Sequence, residues 1–303
     1  MKILRFNNDR VGILKGEDRV VDVTDTVEAH QLKGPQRVIE EIITDFDTFR
    51  GEFESLAAGD DGVLLADVTL LTPIPRPSHC LAAFANYLDN PDRTKEDLPN
   101  DFFYKDTNLL GPEGTVELVD IPPVLVYHPE AELAYVMGKT SRNVPEADAM
   151  DHVFGYVPFF DISARGMTRR TTFLSKGQAT FGPCGPWITT KDEIDDPHDL
   201  VVQSWVNGEA RQNYNTKHMA HNIPEQIAWA TRFGQLEPGD VVATGTYHVG
   251  LGPLNPGDVL EIEIQGLGRA RYFVKGSTPR KEIDFTPGIT PVERPPGGVT
   301  KVL

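Results

Sequence analysis

From residue 124 to residue 139 the chain reads VLVYHPEAELAYVMGK, and this stretch limits the fold more tightly than any other. Side chains two apart on a strand point the same way. Glu130 and Glu132 therefore share one face with Ala134 and Val136, while Ala131, Leu133 and Tyr135 occupy the other. A strand that is apolar on both faces belongs inside a sheet covered on both sides. Any fold of this chain then has to bury two neighbouring carboxylates. Out of water they repel each other, so they need a cation, or one of them must hold a proton. A second E-x-E, in LEIEIQ, makes no such demand. There Glu261 and Glu263 alternate strictly with Leu260, Ile262 and Ile264, the pattern of a half-exposed strand with a solvated charged face.

A third acid ends another apolar run, VFGYVPFFDIS, where Asp161 follows Phe159 and Phe160. Three carboxylates with no paired His–Cys set describe an oxygen-rich site suited to a hard cation such as Mg²⁺, Mn²⁺ or Ca²⁺. The spacing leaves a second reading open, in which Asp161 forms a buried ion pair with Arg165.

The surrounding pattern is mostly β. KILRF, VGILK and RVVDV read as short strands broken by NNDR and GED turns. Gly34–Pro35 opens a helix with Val38, Ile39, Ile42 and Phe46 at helical spacing, and the pattern weakens over residues 50–66. The prolines of TPIPRPSH mark a boundary, predicting a small N-terminal α/β domain over 1–72 and a larger one over 73–303. In the larger part Asn207–Gly208 is a hairpin signal. LEPGDV and LNPGDV place Pro and Gly as a type II turn requires, each ahead of a strand. One clear helix starts at Asn222, with Pro224 in its first turn, and runs to Gly234. The Pro- and Gly-rich tail from Thr286 predicts a surface arm.

No apolar run approaches the roughly 20 residues of a membrane span, and MKILRFNNDRVG lacks the apolar core of a signal peptide. The expected location is the cytoplasm, with Cys80 and Cys184 as buried free thiols. A net charge of −16 argues against nucleic acid or an anionic membrane as partner. An anionic substrate would need a local cationic pocket. The glycine-rich GTYHVGLGPLNPG departs from the dinucleotide fingerprint, so no nucleotide cofactor is expected.

Several blocks together resemble the fumarylacetoacetate hydrolase family. They are EAELAYVMGK (130–139), GYVPFFDISAR (155–165), Lys176 ahead of Phe181-Gly182-Pro183, the NGExxQ hairpin Asn207–Gln212, the helix Ile223–Trp229 and the strand Leu236–Thr246, all in family order. The resemblance implies a mixed β-roll catalytic domain behind a small N-terminal α/β domain, usually as a homodimer. It implies Mg²⁺ or a similar ion on Glu130, Glu132 and Asp161, with Lys176 and Thr246 as catalytic groups beside it. Gln212, Arg165, Lys105 (in FFYKD) and Tyr87 would bind the substrate, a small anionic 1,3-diketo or 2-oxo acid. The ion would polarise a carbonyl and stabilise the enolate formed as a C–C bond breaks. Without the resemblance, Lys176 reads as a surface lysine and Thr246 as a strand-end residue.

Two departures stand out. The family hydrolases carry N-Y-x-x-H-x-x-E, whose His–Glu pair activates water, whereas this chain has Asn90 and Arg93 there. Neither side chain is a base. The family TGTPxGxG is here TGTYHVGLG, which adds Tyr247 and His248 at a normally small turn. Either the base has moved, to His248, to His128 or to Asp89 or Asp92, or no water is activated. In the second case the chain would be a 2-oxo-acid decarboxylase, isomerase or hydratase, and a silent binding protein is a further alternative. His218 and His221 read as helix-entry residues.

Overall fold

The computed structural model describes residues 1–27, 33–120, 124–166 and 171–276. The predicted arm from Thr286 lies outside them. The chain opens with β1 (Lys2–Phe6), β2 (Arg10–Lys15) and β3 (Arg19–Asp22), then α1 (Pro35–Thr44) and α2 (Phe46–Gly59). Short strands β4 (Val63–Leu64) and β5 (Leu70–Leu71) lead to β6 (Cys80–Ala83), β7 (Phe102–Tyr104) and β8 (Thr115–Leu118). Two long strands follow, β9 (Val126–Met137) and β10 (Val153–Arg165), then α3 (Thr172–Lys176) and β11 (Ile188–Thr190). The last elements are β12 (Val201–Val206), β13 (Glu209–Asn215), α4 (Ile223–Phe233), β14 (Val241–Ala243), β15 (Val259–Ile264) and β16 (Gly268–Gly276). No helix among the described residues is long and apolar enough to cross a membrane.

The strands form two mixed sheets. The larger runs β4-β3-β2-β1-β11-β10-β9-β14-β6-β7, with β5 also on β1, and the five-stranded one runs β13-β12-β15-β16-β8. β1 joins the first strands to the rest by pairing Ile3 with Ile188. Apolar clusters cover both faces of β9 and β10. On one side Tyr135, Leu133 and Phe160 pack against Val202, Ile262 and Tyr272 of the five-stranded sheet. On the other, Ala134, Val136 and Phe159 join the cluster that holds Ile39 and Ile42 of α1 and Phe53 of α2. Every residue of β9 is consequently buried, as its two-faced pattern requires.

The turn signals are realised. Asn207 and Gly208 both take positive φ (55° and 78°) in the hairpin between β12 and β13. The two PGD turns place Gly239 and Gly257 at φ 87° and 93° and close with Asp240 N–H to Glu237 O and Asp258 N–H to Asn255 O. Asn222 caps α4 through a reciprocal box with Glu225. Glu261 and Glu263 are half-buried, and both face Arg269.

The first helical region differs from expectation. Phe46 is not the end of the first helix. The backbone breaks at Asp45 (φ −109°, ψ 30°) and a second helix runs from Phe46 to Gly59, through the stretch whose pattern weakens. Gly51 costs such a helix about 1 kcal/mol relative to alanine. Burial of Phe49 and Phe53, one turn apart, outweighs it.

Gly155 sits at the bulge where the β9–β10 register shifts, and a Cβ there would lie 2.3 Å from the Thr189 carbonyl oxygen. Gly155→Ala would force β10 and β11 apart. The expected loss is about 1–3 kcal/mol of stability, read from the urea midpoint; an unchanged midpoint would show that the contact is not tight in solution.

Candidate active site

The antiparallel register of β9 and β10 sets Asp161 directly opposite Glu130 and Phe159 opposite Glu132. One carboxylate oxygen from each of Glu130, Glu132 and Asp161 lies within 4.8 Å of the other two, and all three residues are buried. It is the only such group of three or more His, Cys, Asp or Glu side chains among the described residues.

Three cations from separate parts of the chain meet these acids. Lys105, just after β7, donates to Asp161 Oδ1 at 2.6 Å and to Ile162 O at 3.3 Å. Lys176, the last residue of α3, donates to Glu130 Oε2 at 2.6 Å and also to Asp161 Oδ2. Arg165, at the end of β10, donates to Glu130 Oε1. The Arg165–Asp161 ion pair left open above is therefore not formed. Four residues of extended strand separate their backbones by about 13 Å, and the guanidinium turns to Glu130 on the neighbouring strand. Lys176 is buried, not a surface lysine, and its ammonium lies 4.9 Å from the centre of the Phe103 ring.

The three acids differ electrostatically. Burial pushes the Glu130 carboxyl up, but the charges of Arg165 and Lys176 more than offset it and hold it well below its ordinary range. Glu132 moves the other way: burial, then the charges of Asp161 and Glu130, raise it well above that range. Its Oε2 accepts the Gly245 N–H at 2.8 Å. Burial also lowers Lys105 despite its contact with Asp161. A carboxylate offers about four lone-pair sites, so the hydrogen bonds to the three acids leave capacity for an ion. An all-oxygen donor set with Glu132 held at the acidic side of the cluster fits a hard divalent cation.

Gln212 and Thr246 reach the site through the backbone between the two glutamates. β14 pairs with β9 only over Ala134–Val136. Beyond that, the Ala131 N–H donates to Gln212 Oε1 at 3.0 Å. The Ala131 carbonyl accepts from Thr246 Oγ1 at 2.7 Å and from the Tyr214 hydroxyl at 2.6 Å. Gln212 Nε2 in turn donates to Thr246 Oγ1 at 2.8 Å. These side chains replace the missing strand and fix Ala131. Tyr87 is buried edge-on against Tyr214, with ring centroids 5.1 Å apart.

β9 runs regularly through Pro129, so His128 shares the face of the glutamates. Burial, then the Arg165 charge, pushes its pKa down to about 4. His248 Nδ1 lies 2.5 Å from Asp89 Oδ2, and its backbone N–H donates to the same oxygen at 3.1 Å. Asp92 is exposed, and its N–H bonds Asn90 Oδ1. His218 packs on the Tyr247 ring and His221 Nε2 meets Leu98 O, so these two do not converge. Cys80 and Cys184 are free and buried.

Sequence reasoning missed Tyr214, the Gly245 amide and Asn86, whose amide bonds Thr244 O at 2.8 Å and His221 O at 3.0 Å. Tyr214 had a signal, since it lies two residues from Gln212 on one strand face. The other two roles depend on contacts between distant segments.

Two expectations follow from this geometry. Glu132→Ala should abolish Mn²⁺ binding in calorimetric titration, and normal binding would remove the cluster as the metal site. Gln212→Ala should weaken Mn²⁺ binding by about 10–100-fold while preserving thermal stability to within a few degrees. An unchanged isotherm would show that Ala131 needs no clamp.

The Fumarylacetoacetate (FAA) hydrolase C-terminal family matches residues 79–275. A maleylpyruvate hydrolase of Aquipseudomonas alcaligenes is 34% identical over 290 residues, covering 91% of this chain and 99% of that protein. A mitochondrial oxaloacetate tautomerase of Xenopus laevis is 37% identical over 217 residues, 67% of each. The crystal structure of a Sphingobium maleylpyruvate hydrolase in complex with manganese(II) and pyruvate superposes with a TM-score of 0.82 at 36% identity, covering 92% of this chain and 100% of that one. By family match, near full-length similarity and shared mixed β fold, the chain is a member of the fumarylacetoacetate hydrolase family.

Proposed function

We propose that this protein is a divalent-metal-dependent hydrolase that cleaves the C–C bond of an acylpyruvate-type 1,3-diketo acid. The observation that carries the reading is the cluster itself, three buried carboxylates converging within 4.8 Å, with Arg165 on one oxygen of Glu130 and Lys176 bridging Glu130 and Asp161. The similarity to maleylpyruvate hydrolases over more than nine-tenths of the chain supports this substrate class. Glu130, Glu132 and Asp161 would hold Mg²⁺ or Mn²⁺, which when bound supplies Lewis-acid polarisation of a substrate oxygen.

The chain's own groups supply the rest. Arg165 and Lys176 bring positive charge to an anionic substrate in a protein of net charge −16. Lys176 Nζ, the more central of the two, donates a proton to the carbon released when the bond breaks. Lys105 is wholly buried against Asp161, and its part is to balance charge and orient that acid. Gln212 and Thr246 hold Ala131, and with it the spacing of the two glutamates.

A second reading, a tautomerase or decarboxylase of 2-oxo acids on the same metal, is favoured by one observation. Asn90 and Arg93 occupy the positions where family hydrolases keep a water-activating pair, and a tautomerase is among the relatives. Mass spectrometry of products formed in ¹⁸O water with Mg²⁺ or Mn²⁺ separates the two. From acylpyruvates, hydrolysis yields pyruvate and a second acid labelled in its new carboxylate. Loss of CO₂ from oxaloacetate, or isomerisation without cleavage, would replace the first reading by the second. Lys176→Met should lower the hydrolytic kcat by about 10²-fold or more, and an unchanged kcat would remove Lys176 from the chemistry.

A further inference from the structure

Hydrolysis requires a group that takes a proton from water, and the cationic residues at the acids do not offer one. Arg165, Lys105 and Lys176 are all hydrogen-bond donors to the carboxylates. Gln212 and Thr246 are committed to Ala131.

His248 is different. Its Nδ1 lies 2.5 Å from Asp89 Oδ2. An ionised carboxylate only accepts hydrogen bonds, so Nδ1 carries the proton and Nε2 keeps its lone pair. Burial raises the Asp89 carboxyl, but its contacts with His248, the ring hydrogen bond first, outweigh it and leave the acid below its ordinary range. Asp89 therefore stays ionised and fixes both the tautomer and the ring orientation. The histidine lies three residues after Gly245, whose amide bonds Glu132, which keeps their backbones within about 11 Å. Once it takes a proton, its charge would act on both Glu130 and His128.

The pair is also held rigidly. Asn86 ties the segment carrying Asp89 to the segment carrying His248, by donating to Thr244 O at 2.8 Å. The Leu88 N–H bonds His218 O, and Tyr87 bridges Met219. Tyr247, the neighbour of His248, stacks on Tyr214 with rings 5.9 Å apart and 19° from parallel. A histidine needed only as a surface turn residue would not require a half-buried acid on one ring nitrogen.

We propose that His248, oriented by Asp89, is the general base that activates the hydrolytic water, in place of a pair at positions 90 and 93. This rests on the hydrolase reading above. In the step, His248 Nε2 takes one proton from water and the hydroxide oxygen bonds to the acyl carbonyl carbon. The adduct then breaks its C–C bond, and the electron pair leaves with the pyruvyl carbon. That carbon takes its proton from Lys176 Nζ. The acid product and His248 release protons to solvent, and Lys176 recovers one. His248 is the catalytic residue and Asp89 a positioning residue.

The test compares wild type, His248→Gln, Asp89→Asn and Asp89→Glu as Mn²⁺-loaded full chains, using acetylpyruvate for hydrolysis. Metal-dependent deuterium exchange into the pyruvate methyl group serves as a reaction that needs no attacking water. His248→Gln should lose about 10²–10⁴-fold in hydrolytic kcat, retain deuterium exchange, and bind Mn²⁺ as wild type does. Asp89→Asn should lower kcat with KM nearly unchanged, and Asp89→Glu should recover part of the loss. The wild-type spectrum should also show a downfield imidazole N–H proton resonance that Asp89→Asn removes. Wild-type hydrolysis by His248→Gln, or joint loss of exchange and Mn²⁺ binding, would overturn the assignment and leave a structural clamp. A wild type that exchanges deuterium but hydrolyses no acylpyruvate would instead overturn the hydrolase reading itself.

Discussion

Three carboxylates packed between two apolar layers are the condition to which the rest of this molecule answers. Like charges about 4 Å apart repel by about 4 kcal/mol even at an effective dielectric near 20, and burial adds the loss of water to each. The chain meets this with three cations from three different segments, Lys105, Arg165 and Lys176, so the acids and their counter-charges come together only when the sheet and α3 are in place. Compensation is unequal. Glu130 and Asp161 share Lys176, each with a second cation, while Glu132 has a backbone amide. The electrostatic deficit thus sits on one side of the cluster, where a divalent ion would relieve it.

Holding such a cluster to sub-ångström tolerance calls for rigid elements, and β9 and β10 provide them because each is packed on both faces. The helices α1 and α2 and the first strands cover the face that carries the acids. They thus bear on the site without supplying a ligand to it. Where β14 ends, the β9 backbone loses its neighbour, and Gln212, Thr246 and Tyr214 replace the missing strand at Ala131. An open sheet edge lets side chains approach, and the same edge has to be satisfied by polar groups.

The two departures from the family pattern turn out to be spatially linked. The segment with Asn90 and Arg93 also carries Asp89, and the altered turn carries His248, and these two side chains meet. The bulky Tyr247 finds room by stacking on Tyr214, with the His218 ring tilted against it. A change that looks like two separate losses along the chain is one contact in the folded protein.

Much was legible from residue order alone. The apolar periodicity of β9, the PGD turns, the Asn–Gly hairpin and the Asn222 cap are set by neighbours within a few residues, where sterics and local hydrogen bonds act. The same locality explains why Glu130 and Glu132 stood apart from Glu261 and Glu263: alternation along a strand reports burial directly. The break at Asp45 and the helix over Phe46–Gly59 were less visible, because burial of Phe49 and Phe53 against distant strands outweighs local propensity. What only the tertiary structure decided is which charges pair. Arg165 chose Glu130 over Asp161, Lys105 and Lys176 converged on Asp161, and Asp89 met His248 across 159 residues of chain. Residue types establish that a buried acid needs a partner, but the partner is fixed by strand register and sheet order, which bring together side chains that sequence separation keeps apart.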